Sequence, residues 1–266
     1  MAFRSSNIVN TAHALADAAG RAILPLFRGD RIGVENKAGS QDAYDPVTLA
    51  DKAAEQAMRG VLADLRPDDG ILGEEFGTQP GSSGLTWVLD PIDGTRAFVA
   101  GAPTWGVLIA VSDETGPIYG LIDQPYIGER FEGGFGRAIM TGPRGERLLK
   151  TRGNRALADA TLLTTFPEVG TEAEGAAFRA VSNQVRLTRY GLDCYAYALV
   201  ASGQVDLVIE AGLNAYDIQA PIAVIEAAGG FVTDWTGDPA HDGGRVVAAA
   251  GRQQHEAALE ILARSV

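Results

Sequence analysis

The chain has a single cysteine, Cys194, among 266 residues. That scarcity excludes an internal disulfide and any zinc centre built on cysteine. A reducing, cytoplasmic setting is the expectation. No run of about 18 apolar residues occurs, so no membrane-crossing helix is expected. His13 and Asp17 interrupt the apolar stretch near the start, so no signal-peptide core is expected there. Positive charge is also scarce: 22 Lys and Arg stand against 34 Asp and Glu, a net charge of −12. Such a chain repels a phosphate backbone, which argues against nucleic acid as a partner. The three histidines, His13, His241 and His255, are not expected to be catalysts. There is no internal repeat and no low-complexity segment.

What is present suits a globular fold. Hydrophobic residues make up 46% and charged residues 21%. A chain this long buries roughly three quarters of its unfolded surface and needs no covalent staple. Ile8, Ala12, Leu15, Ala19 and Ile23 recur at helical spacing, predicting a first helix over 5–27. Residues 29–45 read as a loop or short hairpin. Thr48, with Asp51 three residues on, opens a second helix with a capping box, running to Leu65. Strands are predicted over 71–73, 86–89, 105–111, 118–122 and 129–133. The seam between two halves, 1–145 and 146–266, is expected over Gly142–Gly153, with the halves packed as one unit. Beyond it, strands at 161–165, 185–188, 205–210, 231–235 and 246–250 alternate with helices at 172–182, 193–202, 216–228 and 253–264. The class is α/β, with a mixed first sheet and layered helices.

Acidic residues follow apolar runs: Glu74 and Glu75 after Ile71-Leu72-Gly73, Asp90 after Trp87-Val88-Leu89, Asp93 three residues on, and Asp217 after Val208-Ile209. Such positions converge at the rim of a sheet. Gathering carboxylates is costly unless protons or cations compensate. Oxygen ligands without His or Cys point to Mg²⁺, Mn²⁺ or Ca²⁺. In Asp90-Pro91-Ile92-Asp93-Gly94-Thr95, Pro91 is expected to stiffen a turn after the strand. Gly94 lets backbone approach a ligand, and Thr95 opens a helix over 96–100. The amides of Gly94 and Thr95 then face an anion at a helix start. Cations and oriented amides would thus receive a phosphate on an acidic protein. Alone, Asp-x-x-Asp reads as a turn with a helix cap and Glu-Glu as a solvated face. The ordered set points to a site.

The same residues resemble the inositol monophosphatase superfamily of lithium-sensitive, magnesium-dependent phosphatases. The first signature is seen in Trp87-Val88-Leu89-Asp90-Pro91-Ile92-Asp93-Gly94-Thr95. The second resembles Tyr216-Asp217 leading to Glu226-Ala227-Ala228-Gly229-Gly230. Asp45-Pro46-Val47-Thr48-Leu49-Ala50-Asp51 and Gly73-Glu74-Glu75 also match. The resemblance implies an αβαβα sandwich, a homodimer and two to three Mg²⁺ ions. Mn²⁺ would substitute, and Li⁺ or Ca²⁺ would inhibit. It implies Glu74, Asp90, the Ile92 carbonyl, Asp93 and Asp217 as ligands. Glu74 and Thr95 would activate the attacking water, with Asp45 supporting Thr95. Arg137-Ala138-Ile139-Met140 departs from the family's usual glycine-containing turn, and Tyr216 stands where Trp is common.

Within the family, the details look most like the histidinol-phosphate phosphatase branch. The residues are Arg96-Ala97-Phe98-Val99-Ala100-Gly101, Trp105-Gly106-Val107-Leu108-Ile109, Gly191-Leu192-Asp193-Cys194-Tyr195-Ala196-Tyr197 and Glu35-Asn36-Lys37. Asp193 and Glu210 add carboxylates suited to an ammonium group, with Arg96 beside them as a further substrate residue. Asp193 equally suits a helix N-cap, and the two roles can coexist. The other readings are an inositol or broad sugar-phosphate phosphatase and an inactive metal- or phosphate-binding regulator.

Overall fold

The computed structural model describes residues 2–29, 33, 35–36 and 46–264. Its larger sheet has eight strands. Their spatial order is Gly145–Leu148, Arg137–Gly142, Glu129–Gly134, Gly116–Gln124, Gly106–Asp113, Thr86–Asp93, Gly70–Gly73 and Gly77–Gln79. All neighbours are antiparallel except Gly70–Gly73 against Thr86–Asp93. The second sheet runs Leu187–Tyr190, Thr161–Thr164, Leu207–Asn214, Gly243–Ala249, Phe231–Thr233. A two-stranded ribbon pairs Glu35–Asn36 with Pro46–Val47. The helices are α1 (Ala2–Ile23), α2 (Leu49–Leu65), α3 (Thr95–Val99), α4 (Glu172–Ser182), α5 (Cys194–Ala201), α6 (Ala215–Ala227) and α7 (Arg252–Leu262).

Period-2 alternation along the strands builds the layers. Trp87, Leu89, Val107 and Ile109 face α1 and α2, packing on Ile8, Leu15, Ala54 and Met58. Val88, Leu108 and Ala110 face the other way, onto α5 and α6. The same middle core takes Leu163, Val208 and Ala248 from the second sheet. Leu162, Leu207 and Ile209 point outward to Phe178 of α4 and Leu262 of α7. Each sheet is therefore covered on both faces, the helix–sheet–helix–sheet–helix stack that the family resemblance implies.

The elements differ from expectation at their ends. α1 stops at Ile23, because Pro25 cannot donate a helical hydrogen bond and Arg28 turns the chain at a φ of 59°. Strands Gly77–Gln79 and Gly145–Leu148 were not expected. Every residue in them is exposed, so no apolar alternation marks them. Arg137–Gly142, expected near a turn, is a strand with Ala138, Ile139 and Met140 buried. Gly145–Leu148 pairs with it, so the larger sheet extends into the predicted seam.

α6 lies backbone to backbone on the larger sheet. A Cβ on Gly120 would overlap the Ala220 carbonyl, and one on Gly133 would come 2.5 Å from the Val224 Cα. This contact sets how close the helix carrying Asp217 comes to the strands. Gly120→Ala is therefore expected to destabilise the fold by about 3 kcal/mol, the upper end of overpacking costs. A urea midpoint equal to that of the parent chain would contradict this.

Candidate active and metal site

The strand Thr86–Asp93 brings two acids to one cleft by a bulge. Asp90 pairs with Leu108 and Asp93 with Gly106, with a register shift between them. Three steps on one strand thus oppose two on its partner. The turn expected at Pro91 is instead this bulge, where the broken ladder needs no N–H from proline. Glu74 follows the neighbouring parallel strand, its amide bonded to the Leu89 carbonyl at 3.2 Å. Glu55 of α2, fully buried, fixes that turn by accepting from the amides of Glu75 (2.6 Å) and Phe76 (3.2 Å). Asp217 stands in the first turn of α6 rather than at a strand end. Its Oδ2 accepts from the Asn214 amide at 2.6 Å.

One carboxylate oxygen from each of Asp90, Asp93 and Asp217 lies within 4.8 Å of the others. These acids, with Glu74, Ile92, Gly94, Thr95, Asp193 and Glu210, line a cleft of about 320 Å³. Burial pushes Asp90 well above the usual carboxylate range, and the charges of Glu74, Asp93 and Asp217 push it further. Burial does the same to Asp93, with Asp193, Asp217 and Glu210 adding to it and the Cys194 amide opposing. Asp217 is raised to about 6, chiefly by burial, against the Asn214 hydrogen bonds. Among the described residues, Asp90 Oδ1 is buried with no hydrogen-bond partner. A converging set of hard oxygens whose ionisation is this unfavourable fits a divalent cation of the Mg²⁺ type. Cys194 borders the cleft, but burial and Asp93 hold its thiol protonated, so it is a poor soft ligand.

α3 has only five residues, and packing holds it in place. Phe98 is fully buried, 5.2 Å from the rings of both Phe27 and Trp105. Gly94 is its N-cap at a φ of 85°, with no side-chain cap bond. The Thr95 hydroxyl reaches the Ile92 carbonyl at 3.1 Å and Asp51 Oδ1 at 3.3 Å. Asp45, expected to support Thr95, lies outside the described residues, as does Lys37; Asp51 is the carboxylate seen at Thr95. The capping box predicts a role for Asp51 only at the start of α2. Its Oδ2 does cap the Thr48 amide at 2.8 Å, while Oδ1 serves Thr95.

A second acidic pair adjoins this centre. Asp193 occupies the N-cap position of α5 but makes no side-chain cap bond. Its Oδ2 accepts from the Thr104 hydroxyl at 3.4 Å. Its backbone, at φ 46° and ψ −141°, is strained for a residue with a Cβ. That conformation places the Cys194 amide 2.5 Å from Asp93 Oδ2. Asp193 is raised to about 6 by burial and by Glu210, against Thr104 and Arg96. Glu210 Oε1 accepts from the Thr165 amide (2.9 Å) and hydroxyl (2.6 Å), and Oε2 from the Tyr197 hydroxyl (2.8 Å). In the sequence Thr165 marks only a strand end and Tyr197 only the segment 191–197, and nothing in their spacing relates either to Glu210. Arg96 is exposed at the mouth, its guanidinium 4.8 Å over the Phe166 ring.

A fold of this kind with a carboxylate cluster of this composition defines a class of metal-dependent phosphate hydrolases, and comparison with known proteins agrees. The chain belongs to the inositol monophosphatase family, whose model matches residues 4–266. The bifunctional phosphatase IMPL2 of Arabidopsis thaliana, a chloroplastic protein, is 44% identical over 261 residues, covering 94% of this chain and 73% of its own. A histidinol-phosphatase of Streptomyces coelicolor is 37% identical over 257 residues, covering 92% and 93%. A solved inositol monophosphatase from Zymomonas mobilis superposes with a TM-score of 0.84 at 37% identity, covering 99% of both chains. The protein is thus a phosphoric monoester hydrolase of a Mg²⁺-dependent family. Among the described residues, no helix is long and apolar enough to cross a membrane.

Proposed function

We propose that the protein hydrolyses L-histidinol phosphate to L-histidinol and phosphate. The observation that carries this reading is the second acidic pair. Asp193 and Glu210 border the same cleft as the metal-type cluster, suited to a substrate ammonium group. The resemblance to a histidinol-phosphatase supports it. Asp193 without a cap bond is better suited to a substrate cation than a capping aspartate would be.

Glu74, Asp90, the Ile92 carbonyl, Asp93 and Asp217 would hold Mg²⁺. Bound there, Mg²⁺ would make water nucleophilic near neutral pH and would neutralise charge on the phosphoryl oxygens. The chain's own residues then position the reactants. Glu74 and the Thr95 hydroxyl orient the attacking water. The amides of Gly94 and Thr95 receive phosphate oxygens in the bend before α3. Asp193 and Glu210 hold the ammonium of the leaving alcohol, beside Arg96. Asp51, and Asp45 by resemblance, support Thr95. Two halves, 1–145 and 146–266, acting as one unit, a homodimer and a cytoplasmic setting belong to the same reading.

The second reading is hydrolysis of inositol 1-phosphate, favoured by the likeness to the Zymomonas enzyme. Phosphate release in Mg²⁺ from L-histidinol phosphate, inositol 1-phosphate and fructose 1,6-bisphosphate separates them. The expected order of kcat/KM places histidinol phosphate first. Asp193→Ala is expected to lower kcat/KM for histidinol phosphate by about tenfold, as for loss of a charge-assisted hydrogen bond, with little effect on the inositol ester. Equal losses on both would remove Asp193 from substrate recognition.

A further inference from the structure

Among the described residues ten large apolar side chains are exposed, and Phe166, 42% exposed, is the one of them that lines the acidic cleft. It follows Thr165, whose amide and hydroxyl grip Glu210. The same backbone segment therefore fixes a carboxylate and presents an aromatic ring. Arg96 holds its guanidinium 4.8 Å from that ring, reaching across from α3. Arg96 also bears on Asp193, whose carboxyl it pulls down. Ring, guanidinium and two carboxylates thus form one wall of the cleft, built from both sheets' loops.

An ammonium held by acids alone calls for no aromatic surface. We infer that Phe166 is a specificity residue, the platform for a planar heteroaromatic ring on the leaving alcohol. The inference rests on the histidinol phosphate reading and deepens it. In that alcohol a short alkyl link joins the ammonium-bearing carbon to an imidazole. A ring so tethered must lie close to its ammonium, as Phe166 lies next to Thr165, whose amide and hydroxyl bind Glu210. Arg96 steadies one side of the Phe166 ring by cation–π contact, leaving the remaining exposed surface for a stacked or edge-on partner. The residue touches the part of the substrate remote from the reacting phosphorus, so its contribution is to binding.

The test compares L-histidinol phosphate with L-alaninol phosphate, which keeps the ammonium and the phosphate ester but has no ring. Wild type, Phe166→Ala and Phe166→Tyr are assayed with Mg²⁺, and inositol 1-phosphate is run on wild type. For Phe166→Ala, KM for histidinol phosphate is expected to rise about tenfold with kcat little changed, the size of one aromatic contact. KM for alaninol phosphate stays as in wild type, and Phe166→Tyr behaves as wild type on both. Equal changes on the two amino-alcohol esters, or none on histidinol phosphate, overturn the platform while leaving the substrate reading intact. A wild-type preference for inositol 1-phosphate over both esters overturns the substrate reading and the platform with it. That outcome is visible before any substitution is made.

Discussion

Asp93→Asn is expected to lower kcat by about a thousandfold or more while the chain stays folded. Asp93 is at the centre of the acidic cluster. It lies within 4.8 Å of Asp90 and Asp217, and its Oδ2 takes the Cys194 amide at 2.5 Å. Asparagine keeps the shape and can keep the amide bond, but it removes the charge that would bind a cation. A lost Lewis-acid centre is worth several kcal/mol of transition-state stabilisation, hence the factor. The effect on stability should have the opposite sign when metal is withheld. Burial and three neighbouring acids raise Asp93, so its charge disfavours the folded state without a cation. In chelator, the variant should melt no lower than the parent. The parent should gain Tm as Mg²⁺ is added, and the variant should gain much less. Wild-type turnover in Asp93→Asn, or an undiminished Mg²⁺-dependent rise in Tm, would refute the assignment.

Gly94→Ala is expected to cost about a hundredfold in kcat/KM. A Cβ there would lie 2.8 Å from Asp193 Cγ and 2.9 Å from Asp193 Cβ. The φ of 85° adds about 1–2 kcal/mol of strain for any residue but glycine. The clash cannot relax cheaply. Asp193 is tied through the next peptide to Asp93, and Gly94 to the start of α3 with Thr95. One added methyl therefore disturbs the metal-type ligand, the amides proposed to face phosphate and the proposed amine acceptor together, and a displacement of about 1 Å at such a site costs on the order of a hundredfold. Adding Asp193→Gly removes the clashing side chain and the strain of the φ of 46° at position 193. The double variant should recover stability but not the proposed preference for an aminated substrate. A single Gly94→Ala variant with parental kcat/KM would show that Asp193 and Gly94 are not coupled.

Much of this was legible in the chain because the signals are local. Thr48 and Asp51 spell a capping box, and the box is there. The apolar stripe of α1 and the alternation of Trp87, Val88 and Leu89 each name a buried face. The acids at 74, 90, 93 and 217 stand out because each follows an apolar stretch. Other features left no mark. Exposed edge strands such as Gly145–Leu148 carry no hydrophobic period. The bulge at Pro91 reads as a turn, because proline ends regular pairing in either case. Glu55 sits on a helix whose amphipathic pattern gives no hint that a buried carboxylate braces the turn bearing Glu74.

The sequence by itself determined the layered fold class, the family resemblance and the acids from which a cation site can be drawn. The class and the acids follow from nearest-neighbour chemistry, namely periodicity, capping and side-chain charge, and the resemblance from ordered motifs such as Trp87–Thr95. Only the tertiary structure decided which groups meet. It set Asp51 on Thr95, Thr165 and Tyr197 on Glu210, and Arg96 over Phe166. It also left Asp193 without a cap bond, bent at a positive φ toward the cleft. Such pairings join residues from 13 to 45 positions apart, and Arg96 and Phe166 lie farther apart still. They depend on how closely α6 and the sheets approach, a distance set by glycine contacts and core packing that no short stretch of sequence encodes.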